Sequence, residues 1–142
     1  MATTRNASTH WEGTLFEGAG KVTLESSGTG TYDVSWASRA EDANGKTSPE
    51  ELIAAAHSSC FSMALSNGLA KAGTPATSLD TSAAVDFVPG TGITEIRLTV
   101  KAVVEGMSND DFVAAAEAAK VGCPVSQALA AVPIKLEASL AQ

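Results

Sequence analysis

Two cysteine residues carry most of the chemistry that this sequence could perform. Cys60 lies within a small-residue apolar segment, "IAAAHSSCFSMALS", and Cys123 lies within "KVGCPVSQAL". A thiol acts as a nucleophile or a metal ligand only as the thiolate, and apolar burial disfavours that form because it raises the thiol pKa. A cysteine in an apolar helix is commonly an inert hydrophobic residue. Cys60 therefore needs a nearby positive group before it becomes a catalytic candidate.

Two side chains could supply that positive charge. His57 precedes Cys60 by one helical turn on the same predicted face, and Arg39 follows a predicted strand in "SWASRAED". Arg39 is the better candidate, because arginine stays charged at any working pH and offers forked donors to a peroxide or carboxylate oxygen. Taken alone, His57 is more simply explained as a core histidine and Arg39 as a solvated loop arginine.

Cys123 carries an independent signal, because Pro124 follows it and favours the first position of a helix. A thiol at the N-cap faces unpaired amide groups that lower its pKa, which is typical of redox cysteines. A zinc site from Cys60, Cys123 and His57 is the alternative, but a closed site would need His10 or a carboxylate as fourth ligand. Redox chemistry without a bound metal or other cofactor is the favoured interpretation.

The composition limits the classes of protein, the binding partners and the cellular compartment that can be expected. The chain has 142 residues, is 44% apolar and is predicted to form a single domain over residues 1–142. A net charge of −7 with nine Lys and Arg leaves no basic surface for nucleic acid or for an anionic membrane. The N-terminal segment lacks an apolar run of signal-peptide length, so a cytoplasmic location is expected. Thiols are kept reduced there, which favours redox or metal-binding roles over structural disulfides.

The pattern of residues predicts an α+β fold that begins with an antiparallel meander. Its three predicted strands are joined by turns near Gly18–Gly20 and Gly28–Gly30, and they cover residues 10–17, 20–27 and 31–38. Later in the chain, residues 78–90 and 92–106 alternate polar and apolar residues and predict a hairpin. A helix capped by Ser108 or Asn109, a second helix from Cys123 and a strand over 133–140 complete the fold.

A long helix carrying Cys60 connects these two sheet segments. Ser48 at the N-cap, Pro49 at the first position and Glu51 as capping-box partner predict its start, and Gly73 predicts its end. Polar residues interrupt the helix too often for a membrane span, so a buried helix in a soluble protein is expected.

The segments "SPEELIAAAHSSCFSMALS" and "AKVGCPVSQAL" together resemble the OsmC/Ohr superfamily of thiol peroxidases, over nearly the whole chain. Ohr members typically have Gly-Tyr where this chain has Ala56-His57, so the resemblance is to the OsmC branch. It implies an OsmC-like fold in which a long buried central helix is followed by a second antiparallel sheet segment with helices packed on it. It also implies an intertwined homodimer with active sites at the subunit interface.

The resemblance further implies a role for each candidate residue. Cys60 matches the peroxidatic thiol and Cys123 the resolving thiol, while Arg39 matches a family arginine and Glu50 the carboxylate that pairs with it. The implied reaction reduces organic hydroperoxides ahead of hydrogen peroxide through a sulfenic acid and a disulfide. An external dithiol of the lipoyl type would restore the thiols, and the implied biological setting is osmotic or oxidative stress. No chemistry is implied for His57.

The spacing of Glu50 and Cys60 favours a shared site. Ten residues of continuous helix correspond to roughly 15 Å, so the two side chains cannot meet on one straight helix. Either the helix breaks, or Arg39 and Glu50 serve Cys60 of a partner subunit in a two-fold dimer. The second arrangement is favoured. A rival from another class remains, a non-enzymatic redox sensor or ligand-binding protein that uses the same cysteine pair.

Overall fold

A computed structural model describes residues 1–141. The described chain forms two compact units, residues 1–52 and the residues from Ile53 onward. No helix in the described part of the chain is both long enough and apolar enough to cross a membrane.

The first unit contains the antiparallel meander that the sequence predicts. Its strand order is β1-β2-β3, and the strands are β1 (Ser8–Glu12), β2 (Ala19–Thr23) and β3 (Thr31–Val34). The first turn lies earlier than predicted, where the Gly18 N–H donates to the Thr14 carbonyl at 2.8 Å. Gly20 is a strand residue instead, and a Cβ there would come within 2.7 Å of the Trp11 ring. Glycine is therefore required at this position by the packing of Trp11 across the β1–β2 ladder.

The predicted third strand is too long, because the chain turns into a short helix, α1 (Trp36–Ala40). Ser35 is its N-cap and forms a reciprocal capping box with Ser38: the Ser38 N–H donates to Ser35 Oγ at 3.1 Å, and the Ser35 N–H donates to Ser38 Oγ at 3.0 Å. These two bonds satisfy backbone donors that a strand would otherwise have to pair. Arg39 consequently lies in a helix and not in a loop.

The long helix α2 (Pro49–Lys71) begins and ends close to its predicted limits. Ser48 Oγ accepts a hydrogen bond from the Glu51 N–H at 3.1 Å, as an N-cap should. The predicted reciprocal bond is replaced by another one, because the Glu51 carboxylate accepts from the Thr47 hydroxyl at 2.6 Å. Gly73, at φ 84°, adopts the left-handed conformation that terminates the helix.

In the single chain the expected buried helix α2 is buried on one side only. His57, Phe61, Leu65 and Leu69 recur every fourth residue and are fully buried. The opposite side is exposed, and Met63 on it has 72% of its surface accessible. A helix with small and apolar residues on its exposed side has surface available for a partner.

The second unit contains a mixed sheet, in which the hairpin β4 (Ser78–Val88) and β5 (Gly92–Val103) is antiparallel as predicted. The final strand β6 (Ile134–Leu140) pairs parallel with β5, so the prediction of a wholly antiparallel second segment is wrong. The two helices between β5 and β6, α3 (Asn109–Gly122) and α4 (Pro124–Ala128), provide the crossover that a parallel pair requires.

One apolar core holds this unit together. On β5, Ile96, Leu98 and Val100 point inward as the alternation predicts. The core cluster combines β5 with α2 and α3, and its buried members are Phe61, Leu65, Leu69, Leu98, Val100, Ala102, Val104, Phe112, Ala116, Ala119 and Cys123. Cys123 is thus held at the junction of α3 and α4 by the same packing that fixes α2.

Candidate active site

The two thiols meet in the second unit. Cys60 lies on α2 and is partly exposed, whereas Cys123 is fully buried at the N-cap of α4. Both are free, and Cys60 packs against the core cluster to which Cys123 belongs, so each thiol affects the pKa of the other. Two cysteines far apart in sequence are thereby brought into one core cluster.

Cys123 is the more acidic thiol of this pair in the single chain. Burial raises the pKa of Cys123, but the Ser126 N–H, the Cys60 thiol and the Ser126 hydroxyl together outweigh burial and lower it below its usual value. The Val125 N–H acts in the same direction. Cys123 makes no side-chain capping bond of ordinary geometry, so the amide groups act mainly through their electrostatic field.

Cys60 shows the opposite behaviour. Burial raises the pKa of Cys60, the Val125 N–H opposes that effect, and Cys123 raises the pKa further. None of these influences comes from a positive side chain. Cys60 therefore needs a cation before it becomes a good nucleophile.

Arg39 and Glu50 form a second pair, which lies in the first unit. Arg39 Nε donates to the two carboxylate oxygens of Glu50 at 3.0 and 3.2 Å, and Nη2 donates to Oε1 at 2.9 Å. The Glu50 side chain is 8% exposed and that of Arg39 is 31% exposed. The carboxylate accepts hydrogen bonds from two guanidinium nitrogens and so fixes the plane of the guanidinium group. Arg39 is therefore an oriented cation and not a solvated loop residue.

A cavity of about 380 Å³ adjoins this ion pair within the first unit. Its walls are mostly apolar and include Trp36 and Leu52, and Arg39 is the charged residue among those that line it. Leu52, near the start of α2, is one of the apolar residues that line it.

His57 is buried beside the thiols and is bonded to a residue that sequence analysis did not single out. Its Nε2 lies 2.7 Å from Ser126 Oγ, and both residues are buried. Burial lowers the pKa of His57, so the imidazole is neutral. The available signal for Ser126 is its position three residues after the N-cap Cys123, where a side chain returns towards the start of the helix.

The zinc alternative finds no support in the side-chain geometry. Among residues 1–141, no cluster of three or more His, Cys, Asp and Glu side chains is arranged to hold a metal ion. His10, the suggested fourth ligand, lies on β1 in the first unit and contacts Glu12 at 3.7 Å.

The sequence-predicted site residues therefore form two groups, one in each unit. Arg39 and Glu50 are joined in residues 1–52, while Cys60, Cys123 and His57 are grouped in the second unit. An oriented guanidinium beside an apolar cavity, and a pair of interacting free thiols, are the elements of thiol-based redox chemistry. These features define the class as an α+β thiol redox protein.

Comparison with known proteins identifies the family. The sequence profile of the OsmC-like protein family matches residues 41–137. The peroxiredoxin OsmC of Escherichia coli is 42% identical over 134 residues, which cover 92% of this chain and 93% of that protein.

Solved structures share the fold at lower sequence identity. An organic hydroperoxide resistance protein OsmC from Legionella pneumophila has a TM-score of 0.70 at 23% identity, with 98% of each chain covered. The organic hydroperoxide resistance protein OhrB of Bacillus subtilis has a TM-score of 0.69 at 22% identity, over 94% of this chain and 98% of that one.

The chain belongs to the OsmC family. Because its sequence is 42% identical to that of a named peroxiredoxin over nearly the full length of both chains, it is a peroxiredoxin-type peroxidase, a redox protein that reduces peroxides. The α+β fold and the family resemblance inferred from the two cysteine motifs are confirmed.

Proposed function

We propose that this protein reduces organic hydroperoxides to alcohols, and hydrogen peroxide less efficiently to water, through Cys60 and Cys123. The observation that carries the proposal is that two free thiols belong to one core cluster, where Cys60 is partly exposed and Cys123 is buried. A partly exposed thiol is accessible to a peroxide, whereas a buried thiol is shielded from it.

The reaction consists of two displacements. The Cys60 thiolate attacks the terminal peroxide oxygen, the O–O bond breaks, and the alkoxide leaves and takes up a proton to become the alcohol. Cys60 is then a sulfenic acid. Cys123 attacks the Cys60 sulfur, the S–O bond breaks, and the leaving hydroxide takes up a proton to become water. An external dithiol, which we propose to be of the lipoyl type, reduces the resulting disulfide.

Arg39 supplies the positive charge that Cys60 lacks in the single chain. α2 runs without a break from Pro49 to Lys71, so Glu50 and Cys60 are separated by roughly 15 Å of helix rise. We therefore assign the Arg39–Glu50 pair to Cys60 of a second copy in a two-fold homodimer. The exposed small-residue side of α2 supports this assignment, because it would permit close approach of two helices.

The cavity beside Arg39 supports a substrate with an apolar part. Its mostly apolar walls suit an alkyl group, and the guanidinium suits the peroxide oxygens that carry developing negative charge. Two structural relatives are named as organic hydroperoxide resistance proteins, which agrees with this preference. A role in cytoplasmic defence against oxidative or osmotic stress belongs to the same proposal.

Steady-state loss of cumene hydroperoxide, with dihydrolipoamide as reductant, tests the proposal in the wild type and in the Cys60→Ser and Cys123→Ser variants. We expect turnover in the wild type, none without Cys60 and an altered rate without Cys123. Hydrogen peroxide in the same assay measures the substrate preference. If a Cys60–Cys123 disulfide forms once and no dithiol supports turnover, the protein is a redox sensor and the proposed catalytic cycle is wrong.

A further inference from the structure

The cavity of about 380 Å³ in the first unit has the meander as its floor. Residues that lie directly opposite each other on paired strands point to the same face of a sheet. Trp11 lies opposite Gly20 in this way, and Gly20 lies opposite Val34. A Cβ on Gly20 would come within 2.7 Å of Trp11 Cε3 and 3.1 Å of Val34 Cγ2. The Trp11 ring therefore lies over the backbone of Gly20, and both Trp11 and Val34 line the cavity.

The walls of the cavity add a second indole to the first. Trp36 on α1 and Leu52 on α2 line it together with Trp11, so both tryptophans of the chain are lining residues. Tryptophan offers a large apolar area, and a mostly apolar cavity with one charged group is typical of a site for a small organic molecule. That charged group is Arg39. The cavity is therefore suited to a ligand with a polar end at Arg39 and an apolar group against the two indoles.

The turn between β1 and β2 forms the rim of this cavity. Leu15 lines the cavity and is 51% exposed, and the neighbouring Phe16 is 73% exposed. The Phe16 ring packs edge-on against Trp36, with the ring centroids 5.7 Å apart and the ring planes at 88°. The turn thereby reaches from the meander to α1. Its two apolar side chains lose contact with water when an apolar group enters the cavity beside them, which favours binding of that group.

Hydrogen bonds within the turn hold the rim in place and connect it to the floor of the cavity. The Gly18 N–H donates to the Thr14 carbonyl at 2.8 Å, which closes the turn. Trp11 Nε1–H donates to the Gly13 carbonyl at 3.1 Å, so the first indole is attached to the same turn. Gly13 has φ 91°, a conformation that glycine adopts without strain. A rim that is ordered before the ligand arrives loses little entropy on binding.

We infer that Leu15 and Phe16 are specificity-determining residues: they extend the apolar wall of the cavity, so the protein prefers hydroperoxides whose organic group is large enough to reach the turn. The inference rests on the proposed reduction of organic hydroperoxides, with the peroxide group at Arg39 and the organic group in the cavity. A cavity of about 150 Å³ holds one benzene molecule, so one of about 380 Å³ has room for an organic group of about ten carbon atoms or more. A tert-butyl group fills only part of this space, whereas the phenyl ring of a cumyl group extends towards the rim.

A second explanation for two exposed apolar side chains is that they contact the other subunit of the proposed dimer. The two explanations differ in the substrates that are affected when Leu15 or Phe16 is truncated. Loss of a subunit contact would lower the number of complete sites and slow the reduction of every peroxide alike. Loss of a contact with the organic group would slow only the substrates that carry a large one, and hydrogen peroxide carries none.

The first measurement is the ratio of kcat/KM for cumene hydroperoxide to kcat/KM for hydrogen peroxide. This ratio cancels the effects that are common to both substrates, such as the reductant step and the fraction of assembled dimer. Phe16→Ala and Leu15→Ala should each lower the ratio about tenfold, since the loss of a methylene-sized contact in an apolar site costs about that factor or more. The corresponding ratio for tert-butyl hydroperoxide should stay within about twofold of wild type, because the smaller group does not reach the rim.

Conservative variants and a distant truncation provide the controls. Phe16→Leu and Leu15→Met keep an apolar side chain at the rim and should keep most of the preference for cumene hydroperoxide. Val88→Ala is the matched control, because it truncates a side chain that is 44% exposed at the end of β4 in the second unit, and the ratio should be unchanged. Folded Phe16→Ala and Leu15→Ala proteins with the wild-type ratio would overturn the inference, and so would an equal loss of activity towards all three peroxides.

The second measurement does not depend on turnover. Because both tryptophans line the cavity, their fluorescence reports whether it is occupied. Titration with 2-phenyl-2-propanol, the alcohol that cumene hydroperoxide would yield, should change the emission of wild type, and the midpoint should be about tenfold higher in Phe16→Ala. If wild type shows this binding difference but no turnover, the proposed reaction is wrong and the turn still selects the ligand. No binding, or equal binding by both proteins, would refute the inference whatever the turnover.

Discussion

An active site shared between two copies of the chain predicts that two inactive variants will complement each other. In the proposed dimer, Cys60 of one subunit reacts beside Arg39 of its partner. Arg39→Ala and Cys60→Ser each inactivate a homodimer. A mixed dimer of the two contains one site with both wild-type residues and one site with neither.

The expected recovery follows from this arrangement. Random exchange of equal amounts makes about half of the dimers mixed, and each has one of its two sites intact, so activity should return to about a quarter of wild type. The activity of the Arg39→Ala homodimer should be low, because a cation that stabilises the thiolate and the leaving oxygen commonly contributes about a hundredfold or more to the rate. Complementation should therefore exceed the activity of the separate variants by well over tenfold.

The assay needs proof that subunits have exchanged. The two variants are given different affinity tags, mixed under mild denaturation and refolded, and the doubly tagged species is isolated. Its hydroperoxide turnover is compared with that of each parent and of a mixture of Arg39→Ala with wild type. Isolated mixed dimers without activity above the parents would refute the assignment of Arg39 to the partner's Cys60, and a chain that remains monomeric would refute the dimer.

Three further predictions concern stability, each measured by urea unfolding. Burial lowers the pKa of His57 in the folded protein, so the unfolded chain binds the proton more readily. The contribution of the neutral, buried imidazole to stability is present above the unfolded pKa of about 6.5 and is lost as the pH falls below it. Stability should fall between pH 7.5 and 5 by a smaller amount in His57→Gln than in wild type. Phe61→Ala should cost about 3–5 kcal/mol, because it removes a fully buried ring from the core. Gly20→Ala should cost about 1–3 kcal/mol, because the new Cβ would come within 2.7 Å of the Trp11 ring.

Each of these predictions has its own control. A His57→Gln protein whose stability falls with pH as steeply as that of wild type would contradict the burial argument. Phe61→Leu should be much milder than Phe61→Ala, and equal losses would show that cavity size does not set the cost. A Gly20→Ala protein that is rescued by Trp11→Leu would support the steric cause, whereas no rescue would argue against it.

Local signals predicted the helices and the hairpin well. Ser48 with Pro49 and Cys123 with Pro124 mark helix starts through interactions confined to one turn, so the surrounding fold is not needed to recognise them. The alternation of polar and apolar residues on β5 likewise indicates, without knowledge of the rest of the fold, which face of the strand is buried. The segment after Val34 was mispredicted as strand because alternation continues through Trp36, while a capping box between Ser35 and Ser38 starts α1.

The pairing direction of β6 and the burial of α2 could not be obtained from such signals. An alternating strand such as Ile134–Leu140 has the same pattern whether its neighbour is parallel or antiparallel, and the helices that precede it decide the direction. The sides of α2 differ little in composition, so the sequence does not indicate that only the side with His57 and Leu65 is buried in the single chain.

The family, the α+β class and the candidate chemical residues can be recognised in the primary structure, because two cysteine motifs, an arginine and a glutamate are residue types at fixed spacing. Which thiol of the pair is more acidic depends on the folded arrangement of the chain. That property depends on burial, on the amide groups of Val125 and Ser126 and on the hydroxyl of Ser126 beside Cys123. These groups act through space over a few ångströms, and a linear sequence does not contain those distances.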